Sequence, residues 1–494
     1  MDILQAFINV LNPTTLLFIF LGVTLGELVG VLPGISSPAA VALLLPTTYA
    51  LAPINGLAML AGIWYGSSYG GIITSVLLNI PGEGDSVIST LDGYQMAKQG
   101  RGSLALGVSA FGGFIAGTIA LIALQFVGPS VAKLAVRFGP QEYFGLMFFG
   151  LALVSWLSGK SILKGMVSCV LGLLIGTVGG DIVSGESRLT FDQNVLLDGI
   201  GFVPVVVGLF GLGEVLHTVG EQLDVSGKTH FSFRGLFPRK GEWSPSIWST
   251  LRGTVMGFVA GAIPGVGPTN ATFIEYAVEK GLSKTPEKFG TGALEGVAGP
   301  GAAGHAGTIA GMVPLLSLGI PASGTAAILM GGFIIHGLFP GPLLYREHPD
   351  IVWGLIASLY IGNIMLLLMN TLLIPFLVWI VEMARPYIAP LIGVLTLIGA
   401  FCLNNNPFDI WLAICFGILG YIFRIGGFPL APMVIALVLG RKAETGLRQS
   451  LQMSGGDFSV FFTRPVSAAL IALAVMVLLV PIVSPWIRRL RSRA

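Results

Sequence analysis

Four short stretches place proline and glycine beside small hydroxyl or amide residues inside otherwise apolar sequence. Pro33-Gly34 runs into Ser36 and Ser37, and Asn79 precedes Pro81, Gly82 and Glu83. Pro264 leads Gly265, Gly267, Thr269 and Asn270, and Gly319 precedes Pro321, Ser323, Gly324 and Thr325. A proline inside a helix removes a backbone hydrogen bond and frees a carbonyl. In hydrocarbon an unanswered polar group costs several kcal/mol, so such breaks persist only where protein, water, an ion or a ligand responds. The amides that open the next helix carry about half an elementary charge and can receive an anion, while freed carbonyls suit Na⁺. The candidate substrate-binding set is therefore Pro33, Gly34, Ser36, Ser37, Asn79, Pro81, Gly82, Gly265, Gly267, Thr269, Asn270, Pro321, Ser323 and Thr325. A lone Pro-Gly is more often a kink, whereas paired interruptions point to a midplane transport site.

Ionisable residues among apolar ones add ion-coupling candidates, because burying a charge is expensive. Glu27 lies six residues before Pro33, and Glu83 and Asp85 follow the second break. His305 occurs in a run of glycine and alanine between Gly299 and Gly307. Each has a structural alternative: pairing for Glu27, helix capping for Glu83 and Asp85, a satisfied interior ring for His305. No metal site is assigned beyond possible Na⁺, and no cofactor is expected. Cys169, Cys402 and Cys415 lack metal-ligand spacing and read as small core residues. There is no nucleophile elbow, His-Glu-x-x-His or phosphate loop, so the chain reads as a non-enzyme.

The elements that must hold these residues follow from composition. Hydrophobic residues make up 54% and charged ones 10%, against roughly 25% charged in soluble chains, and mean hydropathy is +0.85. Apolar blocks such as Leu16–Val31, Leu104–Val127, Phe144–Leu157, Ile351–Val381 and Ser467–Val483 predict roughly ten to twelve membrane segments. Long Leu-, Ala- and Gly-rich blocks favour helices over a barrel. The fold class is an all-α polytopic membrane protein, its helices broken or re-entrant. A net charge of +2 offers no nucleic-acid footprint. The arginines at 488, 489, 491 and 493 predict a cytoplasmic C-terminus.

The breaks also recur. Gly26–Pro38 resembles Gly257–Pro268 at an offset of about 231, and Leu77–Glu83 resembles Ser317–Ser323 at about 240. Gly172–Gly176 and Gly417–Tyr421 form a weaker pair at about 245. The division is 1–218, a first transmembrane repeat; 219–247, a polar connector; and 248–494, a second repeat. Inverted orientation is expected, since it sets two breaks opposite each other.

At these motifs the sequence resembles the large membrane subunit of the tripartite tricarboxylate transporters, the TctA-like family. The carrying stretches include Gly30-Val-Leu-Pro-Gly-Ile35, Asn79-Ile-Pro-Gly-Glu83, Leu91-Asp-Gly-Tyr-Gln-Met-Ala-Lys-Gln-Gly100, Ser283-Lys-Thr-Pro-Glu-Lys-Phe-Gly290 and Leu318-Gly-Ile-Pro321. The resemblance runs nearly end to end. It implies uptake of a small carboxylate across a bacterial inner membrane, driven by Na⁺ or H⁺, with a TctB-like small membrane subunit and a TctC-like periplasmic solute-binding protein as partners. Where the family pattern runs Pro-Glu-Ala-Ala-Asn-Asn, this chain has Pro300-Gly301-Ala-Ala-Gly304-His305, a departure that bears on substrate or coupling. Two other classes stay open: a stand-alone carrier of an organic anion, and an intramembrane enzyme.

Overall fold

The computed structural model describes residues 3–32, 35–79, 81–157, 161–181, 186–218, 233–376, 393–394, 396–401 and 405–491. Pro33, Gly34, Cys402 and residues 219–232 of the connector lie outside that set. The described chain is helical, with one two-residue antiparallel pair placing Gly179 opposite Arg188. The first part contains α1 (Ile3–Val10), α2 (Pro13–Val31), α3 (Ser37–Leu44), α4 (Pro53–Leu78), α5 (Ser89–Lys98), α6 (Gly102–Ala135), α7 (Pro140–Leu157) and α8 (Ile162–Gly176). Next come α9 (Phe202–Val206) and α10 (Gly213–Thr218), joined through a π-helical stretch, Val207–Leu212. Beyond the connector lie α11 (Trp243–Gly261), α12 (Gly267–Leu282), α13 (Glu295–Ala310), α14 (Met312–Leu318), α15 (Gly324–Ile335), α16 (Leu344–Glu347) and α17 (Pro349–Leu372). The last helices are α18 (Pro407–Ile425), α19 (Ala431–Met453), α20 (Val460–Thr463) and α21 (Pro465–Arg491).

Among the described residues, α2, α6, α17 and α18 are long and apolar enough to cross a membrane. Their outer faces carry exposed Phe126, Leu372 and Trp411, as helices facing lipid do. The count differs from the sequence expectation because proline cuts some apolar blocks into short helices, and because long helices such as α4 carry Gly, Ser and Tyr among their apolar residues. At 1.5 Å per residue, the 12-residue α15 is about 18 Å long and cannot span ~30 Å. Other helices are interior whatever their length: the 26-residue α4 is buried from Asn55 to Leu77 and the 16-residue α13 from Gly296 to Ala310.

Glycine explains how the interior helices come so close. A methyl on Gly26 of α2 would lie 2.3 Å from the Ile63 carbonyl oxygen of α4, and Gly22 and Gly30 press likewise on Met59 and Ser67. A methyl on Gly257 of α11 would lie 2.3 Å from the Ala303 carbonyl oxygen of α13, with Gly253 and Gly261 on Gly299 and Gly307. The three glycines of α11 each stand 231 positions after those of α2, and their partners on α13 stand 240 positions after those on α4. These are the two offsets found between the proline breaks. Small residues at such spacing permit backbone contact between membrane helices.

The two parts are also tied by Asp92, buried on α5. Its Oδ1 accepts from the backbone N–H of Gly290 (2.9 Å), Gly292 (2.8 Å) and Ala293 (2.8 Å), and its Oδ2 from the Tyr276 hydroxyl (2.9 Å). A carboxylate held by several charge-assisted bonds can stay buried without a cation partner.

Enlarging Gly257 to Leu forces two backbones apart, so the variant should lose at least about 1–3 kcal/mol and much of its monodisperse peak on fluorescence-detected size exclusion. Gly281→Ala, where nothing lies within 4 Å, should gain about 0.5–1 kcal/mol instead. Thermal melts of the two variants in detergent check both signs.

Candidate functional site

Three helices start at the same place. α3 begins after Ser36, α12 after Val266 and α15 after Ser323. Their first turns, with residues 83–85, wall a cavity of about 460 Å³. The first break contributes Ser36 and Ser37, the second Glu83 and Asp85, the third Gly265, Gly267, Thr269 and Asn270, and the fourth Ser323 and Thr325. Residues more than two hundred positions apart thus share one void.

The breaks touch each other directly. Gly265 N–H donates to the Ala322 carbonyl at 3.0 Å, linking the third break to the fourth. A methyl on Gly84 would stand 2.8 Å from Thr269 Oγ1, linking the second to the third. The Ser37 amide and hydroxyl both donate to the Glu83 carboxylate, linking the first to the second. Ser37 Oγ also lies 2.6 Å from Ser67 Oγ. Glu83 therefore occupies the N-terminus of α3, where a negative charge meets unbonded amides and the helix dipole. At α15 the cap is neutral, with Ser323 Oγ accepting from Ala326 N–H at 3.2 Å.

Asp85 accepts from Ser68 Oγ at 2.7 Å, and that hydroxyl lies 3.3 Å from Thr308 Oγ1. Its other oxygen, Oδ1, is buried and has no hydrogen-bond partner among the described residues. Among the described lining residues the one cation is Arg424 of α18. It pairs with Glu214 of α10, which also accepts from Ser36 Oγ at 3.1 Å. Trp64, Phe210 and Phe428 supply apolar wall.

Several candidates fall elsewhere. Asn79 is exposed and ends α4 in the left-handed region (φ 60°), its N–H bonded to the Thr74 carbonyl. Gly319, 240 positions on, ends α14 in the same way at φ 67°. Asn79 is thus a helix terminator rather than a cavity residue. Pro81, Gly82 and Pro321 also do not line the void. A methyl on Gly82 would stand 1.8 Å from the Gly30 carbonyl oxygen, so that glycine permits backbone contact.

Glu27 and His305 are enclosed away from the cavity. Both Glu27 oxygens are buried without a hydrogen-bond partner among the described residues. The His305 ring stacks on Tyr69 with centroids 3.9 Å apart, and neither ring nitrogen has a hydrogen-bond partner among the described residues. Gly304, its neighbour, faces Asp85: a methyl there would be 3.5 Å from Oδ2. Among the described residues, no group of three or more His, Cys, Asp or Glu could hold a metal ion.

Sequence reasoning missed Arg424, Glu214 and Ser68 as site residues. For Arg424 the signal was present, since an arginine inside an apolar helix is itself a reason to look for a functional partner.

A helical, multi-pass membrane protein whose interrupted helices line a shared cavity is the class that fold and site define. The chain belongs to the tripartite tricarboxylate transporter TctA family, whose model matches residues 16–435. It is a transporter membrane subunit, and the family implies further subunits. An uncharacterized 52.8 kDa protein in the TAR-I ttuC' 3' region of Agrobacterium vitis is 41% identical over 99% of this chain and 97% of that protein. An uncharacterized protein in the TAR-II ttuC' 3' region of the same organism is 42% identical over 48% of this chain and 98% of its own length. No solved structure matches the chain.

Because Asn79 serves as a left-handed terminator, Asn79→Gly should keep both stability and uptake. Asn79→Val should cost about 1–3 kcal/mol by forcing a branched side chain to positive φ. Melting temperatures of the two variants measure the difference.

Proposed function

We propose that this chain is the translocating subunit of a binding-protein-dependent secondary transporter that takes up a small di- or tricarboxylate across a bacterial inner membrane. The periplasmic binding protein delivers the anion, and the small membrane subunit accompanies this chain. The observation that carries the reading is the convergence of three helix N-termini and Arg424 on one cavity.

The two halves are internal repeats in this reading, supported by the shared offsets of 231 and 240 in both breaks and glycine contacts. That correspondence puts Ser323 where Glu83 stands, and the start of α12 where the start of α3 stands. In the first half the protein supplies its own carboxylate to the helix start. In the second half Ser323 caps its own helix, α15, and the start of α12 has no side-chain cap; the substrate carboxylate takes the matching place there. Thr269, Asn270, Ser323 and Thr325 are then its hydroxyl and amide contacts, with Arg424 turning from Glu214 toward a second carboxylate.

Charge then demands a companion ion. Glu83 and Asp85 line the cavity, and Arg424, the one cation among its described lining residues, already pairs with Glu214; two like charges 4 Å apart repel by about 4 kcal/mol at an effective dielectric constant near 20. Na⁺ or H⁺ enters with the substrate, and Asp85, with Ser68 and Thr308 beside it, is its place. Inverted orientation of the repeats would let the same contacts form from either side, with the C-terminus in the cytoplasm.

Proteoliposomes holding this chain and the small subunit, supplied with binding protein, test the reading using radiolabelled citrate and a panel of other di- and tricarboxylates under Na⁺ or pH gradients. Ser323→Glu, which tethers a carboxylate where the substrate docks, should abolish uptake and leave the melting temperature within a few degrees. Glu214→Gln/Arg424→Gln, which removes the ion pair as a neutral unit, should weaken uptake affinity about 10- to 150-fold, matching a charged hydrogen bond of about 1.5–3 kcal/mol. Uptake unchanged by both variants would reject the site, and no gradient-driven uptake of any carboxylate would reject the function.

A further inference from the structure

A second void of about 510 Å³ lies on the far side of the fourth break from the cavity. Three elements place it there. On α19, Ile435 lines the cavity and Lys442 lines the second void. On α7, Val154 lines the cavity and Met147 the second void. In both helices seven residues, about 10 Å of rise, separate the two. The break itself does the same over a shorter distance, with Leu318 on one side and Ala322 on the other.

The material between the voids is thin and apolar. Ile320 and Leu439 are fully buried, and a methyl on Gly150 of α7 would touch both side chains at 3.5 Å. Gly150 thus leaves a wall of two aliphatic side chains against a bare stretch of backbone. Nothing polar would have to be left unpaired if those side chains moved aside.

The charge of the second void is one-sided. Arg441 and Lys442 line it, and no Asp or Glu is among its described lining residues. Among the described residues the Lys442 ammonium bonds to backbone oxygens alone, Gly319 at 3.4 Å and Pro340 at 3.5 Å, at the end of α14 where helix carbonyls favour a cation. An adjoining void shares Tyr143 and Pro340 and is edged by Glu347 and His348 in the polar turn 345–350. The second void therefore leads toward a polar end of the molecule.

We propose that this second void is an anion-holding vestibule, in which Lys442 and Arg441 stage the carboxylate, and that Ile320 and Leu439 over Gly150 form the gate between vestibule and cavity. The proposal rests on the transport reading above for its direction of traffic, while anion holding at Lys442 stands on the void's own charge. A lysine that merely capped α14 would hold no anion in solution and would lie off the substrate's route.

Thr445 lines the void, and Thr445→Cys in a background with Cys169, Cys402 and Cys415 changed to Ser makes it addressable. Purified, reconstituted protein is labelled with an anionic methanethiosulfonate ethylsulfonate and, separately, with the cationic trimethylammonium analogue. The anionic reagent should react about tenfold faster relative to its rate with free thiol, and millimolar citrate should slow it. Lys442→Gln should remove both effects. In the full transport system, the anionic label should cut citrate uptake at least several-fold relative to unlabelled Thr445→Cys. Equal relative rates for the two reagents, or labelling indifferent to citrate and to Lys442→Gln, would overturn the vestibule. Full uptake after complete labelling would overturn its place on the route. If the unlabelled system moves no carboxylate at all, the transport reading fails, and the labelling rates still decide whether the void holds an anion.

Discussion

A backbone polar group set free inside an apolar molecule has to be answered, and the architecture of this protein follows from that constraint. Each helix interruption frees amides and carbonyls that lipid cannot satisfy. The chain answers many of them from another interruption: Glu83 serves the start of α3, and the Ala322 carbonyl serves Gly265. The interruptions cannot be dispersed through the molecule without losing those partners. Gathering them in one place leaves the remaining amides facing a shared void, and that void is where a solute with complementary charge gains most.

Holding such a cluster together takes stiff supports. The glycine faces of α2 and α11 press backbone against backbone on α4 and α13, which leaves little freedom for one helix to slide on the other. The paired helices behave as struts, and the short α3, α14 and α15 are largely buried. Glu27 is buried on α2, and neither of its carboxylate oxygens has a hydrogen-bond partner among the described residues.

Much of this was legible in the residues. Helix type and membrane class followed from apolar blocks and the shortage of charge, and the four breaks were visible as proline beside small polar residues. Ser36, Ser37, Thr269, Asn270, Ser323 and Thr325 were picked because hydroxyls and amides next to a helix start can bind, and they do share a void. Asn79 was picked by the same rule and lies outside it, because asparagine also tolerates positive φ and terminates helices. One residue type with two physical uses cannot be resolved by composition. Arg424 was overlooked because it has no counterpart within a repeat motif, although a lone guanidinium in an apolar helix carried its own signal. The span count differed because hydropathy registers apolar length and does not register where a helix is cut.

The Asp92 clamp has a consequence for how the chain is made. Its carboxylate leaves the ribosome about two hundred residues before the amides of Gly290, Gly292 and Ala293 that it binds. At roughly 5–20 residues per second, the acid waits some ten to forty seconds for its donors. During that interval the Asp92 carboxylate has to remain near water, and the second half supplies its donors on arrival. Assembly of the two halves is thus timed by synthesis itself.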